Sequence, residues 1–111
     1  MEVQKNIFNG WLLIDKPAGI TSADVVRVIK KKMNPTKIGH AGTLDPDATG
    51  LIPIALGEAT KAIPYLLKST KKYEATLMCG LKTDTDDASG NTLKASTYIP
   101  RKNEILEALK Y

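Results

Sequence analysis

Between Thr21 and Pro35 the chain has room for little but one helix, and that helix fixes the reading of its neighbours. Thr21 and Asp24 stand at the spacing of a capping box, with Thr21 as the N-cap. Val25, Val26, Ile29 and Met33 fall on one face of a 3.6-residue repeat. Lys30, Lys31 and Lys32 crowd the last turn, where cations oppose the partial negative charge of a helix end. Asn34-Pro35 then stops the helix, because the residue before a proline is pushed out of helical geometry. The predicted span runs to about Met33.

On either side the segments are short. Trp11 to Ile14 is an apolar run closed by Asp15-Lys16-Pro17-Ala18-Gly19, which reads as a buried strand entering a Pro/Gly turn. Lys37 to Gly50 reads as a loop, and Leu51 to Leu56 as another short strand. Glu58 to Leu67 fits a second helix with Ala62, Ile63, Leu66 and Leu67 inward. Tyr73 to Gly80 alternates, with Tyr73, Ala75, Leu77 and Cys79 on one face, so a strand is expected there. The polar run Thr83 to Gly90 is a turn, Leu93 to Tyr98 its return strand, and Asn103 the cap of a last helix carrying Ile105, Leu106 and Leu109. The chain ends within that helix pattern, so residues 1–111 read as a portion of a larger domain.

Composition narrows the class of protein. Hydrophobic residues make up 42% of the sequence, more than a disordered chain carries. The formal charge of +4 suits a polyanionic partner such as RNA, although many basic proteins bind none. A single cysteine, Cys79, excludes an intrachain disulfide and a cysteine-based zinc site, and a single histidine adds no metal cluster. No metal is expected. No apolar run approaches the ~18 residues of a membrane span, and the first ten residues carry no signal-peptide core, so no membrane partner and a cytoplasmic location are expected.

The segment richest in chemistry is Gly39-His40-Ala41-Gly42-Thr43-Leu44-Asp45-Pro46-Asp47-Ala48-Thr49-Gly50. Three glycines permit backbone shapes other residues resist and allow a ligand to approach closely. Two carboxylates, a histidine and two threonines sit among them. From the residues alone, a tight surface connection in which Asp45-Pro46 starts a turn explains the loop equally well. It lacks the Gly-Lys-Ser/Thr ending of a phosphate-binding loop and the G-x-G-x-x-G of a dinucleotide site. The run Asp84 to Asp87 starts like a calcium loop, but Ala88 and Ser89 stand where a ligand and a glycine belong, and position twelve is Ala95. No Ser/His/Asp triad is assignable.

Four stretches in order resemble the motifs of the TruB family of pseudouridine synthases, covering about residues 10–110. Gly42 to Pro46 with Ala48-Thr49-Gly50 resembles the family's central motif, and Leu13 to Ser22 its Lys-Pro motif. Lys71-Lys72-Tyr73 resembles the strand that bears the family's substrate-stacking tyrosine, and Thr83 to Gly90 its acidic loop. Asp47 departs from the pattern, which usually has an apolar residue there.

The resemblance implies an α+β pseudouridine synthase fold, a mostly antiparallel sheet flanked by helices, present here as the N-terminal portion of a catalytic domain. It implies a monomer that isomerises the T-loop uridine of tRNA without a cofactor. Asp45 would be the catalytic carboxylate, acting on the sugar as nucleophile or base. Tyr73 would stack on the flipped uracil, and His40 would contact nucleotides displaced when the base leaves the stack. Lys16 would support the active-site loop from beneath. Asp87 would join an arginine, in a motif beyond Tyr111, that also pairs with the catalytic carboxylate. Lys30, Lys31, Lys32, Lys68, Lys71 and Lys72 are candidate phosphate contacts, or equally a solvated face. Two other readings compete: an RNA-binding relative without catalysis, and a small domain whose glycine-rich loop contacts a protein.

Overall fold

In the computed structural model, which describes residues 4–110, the chain divides into two compact units, the second beginning at Lys72. The first is built on a three-stranded antiparallel sheet of β1 (Gly10–Lys16), β2 (Ile38–His40) and β3 (Gly50–Leu56), in the order β1-β3-β2. Helix α1 (Ser22–Met33) connects β1 to β2. Its capping box forms as expected: Thr21 accepts from the Asp24 amide at 3.0 Å, and the Asp24 carboxylate accepts from the Thr21 amide at 2.9 Å. The Thr21 amide, with Arg27 beside it, holds the Asp24 carboxyl down to about 2. Asn34 closes the helix in the left-handed conformation.

The core lies between α1 and one face of the sheet. Val25 and Ile29 meet Ile52, Ile54 and Leu56, with Leu12 and Ile14 packed alongside. Alternation explains the choice: Leu12, Ile14 and Lys16 of β1 share the covered face, while Trp11 and Leu13 point to the other. The expected buried strand is therefore buried on one face only, and Leu13 remains two-thirds exposed. On that second face Trp11, Leu13 and Pro53 line a shallow cleft with Ala62, Tyr65 and Leu66.

Strand β2 departs from the expected loop over Lys37 to Gly50. Three residues are too short for a period to show, and the strand exists because β3 offers a partner: Ile38 pairs with Leu56 and His40 with Ile54. Its end has a chemical cause. The Pro53 carbonyl accepts from the Ala41 amide at 2.9 Å, but proline has no N–H to return. The ladder stops there, and the chain leaves the sheet as the glycine-rich loop. The expected second helix is also modified. Residues Gly57–Ala62 form a 3-10 turn, and only Ile63–Leu67 are α-helical (α2), with Pro64 in the first turn where a missing N–H is tolerated. Leu67 is exposed, not inward.

The second unit contains a hairpin of β4 (Leu81–Thr83) and β5 (Thr92–Ala95) and a helix, α3 (Lys102–Ala108). The acidic run forms the hairpin turn as expected. Tyr73 to Gly80 does not form the predicted strand; no strand among the described residues pairs with it, and Tyr73, Leu77 and Met78 are exposed. Helix α3 begins one residue before Asn103, its N-cap is Arg101, and no side chain caps it.

Candidate active site

The loop between β2 and β3 is fastened to the segment joining β1 to α1. Strand alternation turns Lys16 inward at the end of β1, where it is fully buried. Its ammonium donates to three carbonyls: Ile20 at 2.8 Å, Pro17 at 2.9 Å and Pro46 at 3.0 Å. Three donors on Nζ meet three acceptors, so the buried charge has its full complement of hydrogen bonds. The Gly19 amide adds a second bond to the Pro46 carbonyl at 2.7 Å. Gly19 has φ of +91°, which the close turn requires and a side chain resists.

A second fastening lies on the other side of Asp45. The buried Ser22 hydroxyl accepts from the Leu44 amide at 3.0 Å and donates to the Leu44 carbonyl at 3.3 Å. The Leu44 side chain packs against the core. Between the two fastenings Asp45 heads a turn, its carbonyl accepting from the Ala48 amide at 2.9 Å, with Pro46 and Asp47 at the corner. Asp45 thus heads a turn, as Asp45-Pro46 suggested, and its carboxylate is exposed. Asp47 is exposed at the turn's corner, and its place there replaces the alternation of an extended segment.

His40 is half-buried at the end of β2. Its Nδ1 lies 2.6 Å from the Gly42 carbonyl, and a carbonyl only accepts, so Nδ1 carries the hydrogen and donates. That bond fixes the ring within the loop. Gly42 itself has φ of +114°, a conformation that favours glycine, and the Lys71 side chain lies close above it. Lys71 donates to the Leu67 carbonyl at 2.8 Å and remains exposed. Lys30, Lys31 and Lys32 are exposed on the last turn of α1.

Lys16, His40 and Asp45 therefore share the first unit, on or against one loop. Tyr73 and Asp87 lie in the second. The Tyr73 ring is exposed, which replaces the core position a strand tyrosine ordinarily takes. Asp87 Oδ1 accepts from the Ser89 hydroxyl at 2.5 Å, the Thr85 hydroxyl at 2.7 Å and the Ser89 amide at 2.9 Å. These bonds, led by the Ser89 hydroxyl, hold its carboxyl below the usual range. All three fall on one oxygen, and the Gly90 amide lowers the carboxyl further. Ser22 is the residue sequence reasoning passed over. Its signal was its place inside the Lys-Pro motif, directly after a threonine that already supplies the cap.

Comparison with known proteins identifies the family. The model of the TruB family pseudouridylate synthase N-terminal domain matches residues 30–111. The chain belongs to the TruB family. Curated relatives named tRNA pseudouridine synthase B are similar along most of the chain. The protein from Roseobacter denitrificans is 50% identical over 101 residues, 91% of this chain and 33% of its own length. Those from Gluconacetobacter diazotrophicus and Paracoccus denitrificans are each 52% identical over 101 residues, covering 91% of this chain and 33% and 34% of theirs. The chain thus spans about a third of the length of these TruB relatives. A solved structure of an H/ACA RNP bound to a substrate RNA containing 2'-deoxyuridine matches half of this chain and 18% of its own at 48% identity, with a TM-score of 0.49. No helix of the described residues is long and apolar enough to cross a membrane.

Proposed function

We propose that this chain is the N-terminal portion of the catalytic domain of a cytoplasmic tRNA pseudouridine synthase that isomerises the T-loop uridine, U55, to pseudouridine. The observation that carries the reading is the exposed Asp45 carboxylate, on the TruB central motif, between two fastened peptide groups. In the reaction the bond from uracil N1 to the sugar C1′ breaks, the base turns, and a bond from C5 to C1′ forms. The C5 hydrogen leaves as a proton and N1 gains one. Nothing is oxidised and no group is added, so the reaction needs an ionised carboxylate at the sugar and a closed pocket, and no cofactor. Asp45 is that carboxylate, acting on the sugar as nucleophile or base. Its neighbours supply what proximity requires, a carboxylate whose backbone does not have to be ordered when the substrate arrives.

The other residues serve the flipped base. Extruding a nucleotide costs a few kcal/mol, which contacts in the vacated stack offset. His40, with its ring fixed through Nδ1, is placed to make such contacts. Tyr73 offers an exposed face for the uracil. Asp87, an exposed carboxylate in the acidic loop, would join the arginine that the resemblance implies. The exposed lysines are suited to phosphates.

The reading is tested in the full-length protein by tritium release from tRNA labelled at uridine C5. Release is expected from the parent transcript and not from one with cytidine at the T-loop position. Release unchanged by that replacement would assign a different uridine. Binding should weaken as salt rises, by about one counterion per phosphate neutralised, whereas salt-independent affinity would favour a protein partner.

Tyr73 separates stacking from chemistry. Tyr73→Phe should keep tRNA affinity and lose most turnover, because the ring remains and the hydroxyl is gone. Tyr73→Leu should lose turnover and also about 1–3 kcal/mol of affinity, the worth of a base–aromatic stack. Filter binding beside tritium release measures both. A Tyr73→Leu protein that matches the parent would remove Tyr73 from the site.

A further inference from the structure

We infer that Ser22 is a positioning residue for catalysis: its hydroxyl sets the direction in which Asp45 presents its carboxylate. The inference rests on the functional reading above and adds a residue to it. Thr21 already caps α1, so the Ser22 hydroxyl is not needed by the helix. It is turned instead towards the loop, buried, and bonded to both the amide and the carbonyl of Leu44. A hydroxyl that donates and accepts on one residue fixes the rotation of that residue's peptide groups, and the peptide following Leu44 is the one that leads into Asp45. On the far side Lys16 and Gly19 hold the Pro46 carbonyl. The Asp45 carboxylate has no hydrogen-bond partner of its own among the described residues, so its direction is inherited from its backbone. Of the two fastenings, only Ser22 acts on the residue before Asp45.

Misplacing a reacting group by about 1 Å costs on the order of a hundredfold in rate. The two peptide bonds that Ser22 holds are close enough to Asp45 for its loss to have that effect. Ser22→Ala in the full-length protein is therefore expected to slow single-turnover pseudouridine formation by roughly ten- to a hundredfold. The tRNA dissociation constant should stay within about twofold, because Ser22 is buried and offers almost no surface to a nucleotide. Rates are normalised to the fraction of protein that binds tRNA in a stoichiometric titration, so partial unfolding does not register as slow chemistry. Ser22→Thr restores the hydroxyl and should recover most of the rate. Ser22→Cys keeps the shape with a weak hydrogen bond and should stay slow. If Ser22→Ala leaves no binding-competent protein, the threonine and cysteine variants carry the test by the same contrast.

A normalised Ser22→Ala rate equal to the parent's overturns the inference. So does a loss expressed wholly in tRNA affinity, or a cysteine variant as fast as the threonine one. Asp45→Asn run in parallel keeps the two levels apart. A parent that forms no pseudouridine defeats the functional reading itself, whereas an active parent, a dead Asp45→Asn and an unaffected Ser22→Ala defeat the role of Ser22 alone.

Discussion

Asp45→Asn in the full-length protein is expected to lower single-turnover pseudouridine formation by about a thousandfold or more while tRNA binding stays within about twofold. Asparagine keeps the size and turn-forming capacity of aspartate and removes only the ionisable oxygen. The Asp45 carbonyl, which closes the turn to Ala48, is unchanged by the substitution. The test therefore bears on charge and not on loop shape. Asp47 is the control. It is exposed at the turn's corner, and its side chain makes no hydrogen bond among the described residues. Asp47→Leu should keep turnover within about threefold and bind tRNA slightly better, since a negative charge near phosphates is gone. A dead Asp47→Leu beside an active Asp45→Asn would reverse the assignment.

The largest expected change in stability belongs to Lys16. Lys16→Met keeps the aliphatic stem and removes the ammonium, leaving the carbonyls of Pro17 and Ile20 without that donor, while the Pro46 carbonyl keeps the Gly19 amide. Each buried acceptor left unpaired costs about 1–3 kcal/mol, while relief from burying a charge offsets part of the total. A net loss of about 2–4 kcal/mol follows, a large share of the ~5–15 kcal/mol that holds a domain together. Urea unfolding should show a lower midpoint with an unchanged slope. Turnover should fall as well, because Lys16 tethers the residue after Asp45. A Lys16→Met protein as stable as its parent would mean that the tether contributes little to the fold.

What the sequence made legible was local or followed a simple period. The capping box of α1 is written in Thr21 and Asp24, and the helix begins and ends where those residues and Asn34 dictate. Strand β3 and the hairpin turn at Thr83 to Gly90 were equally plain, the first from an apolar run and the second from its polar content. Elements that depend on a distant partner were not. Strand β2 is three residues of pairing against β3, and Tyr73 to Cys79 has the alternation of a strand without a paired neighbour. Alternation says which face a side chain would take, not whether another strand lies beside it. The same holds at the site. Asp45 and Lys16 were reached through the motif resemblance, but the bond from the Lys16 ammonium to the Pro46 carbonyl, 30 residues away, could not be read from the sequence. Ser22 went unnoticed because its partner, Leu44, lies 22 residues away, and a serine at a helix start invites a purely local reading.

In the proposed function the Asp45 loop isomerises a tRNA uridine. The most direct test is nucleoside analysis of unmodified tRNA after incubation with stoichiometric full-length protein. Pseudouridine is expected at the T-loop position, with the mass of the tRNA unchanged and the product absent from the Asp45→Asn reaction. Tight, salt-sensitive tRNA binding with every uridine intact would contradict it and identify an RNA-binding relative without catalysis.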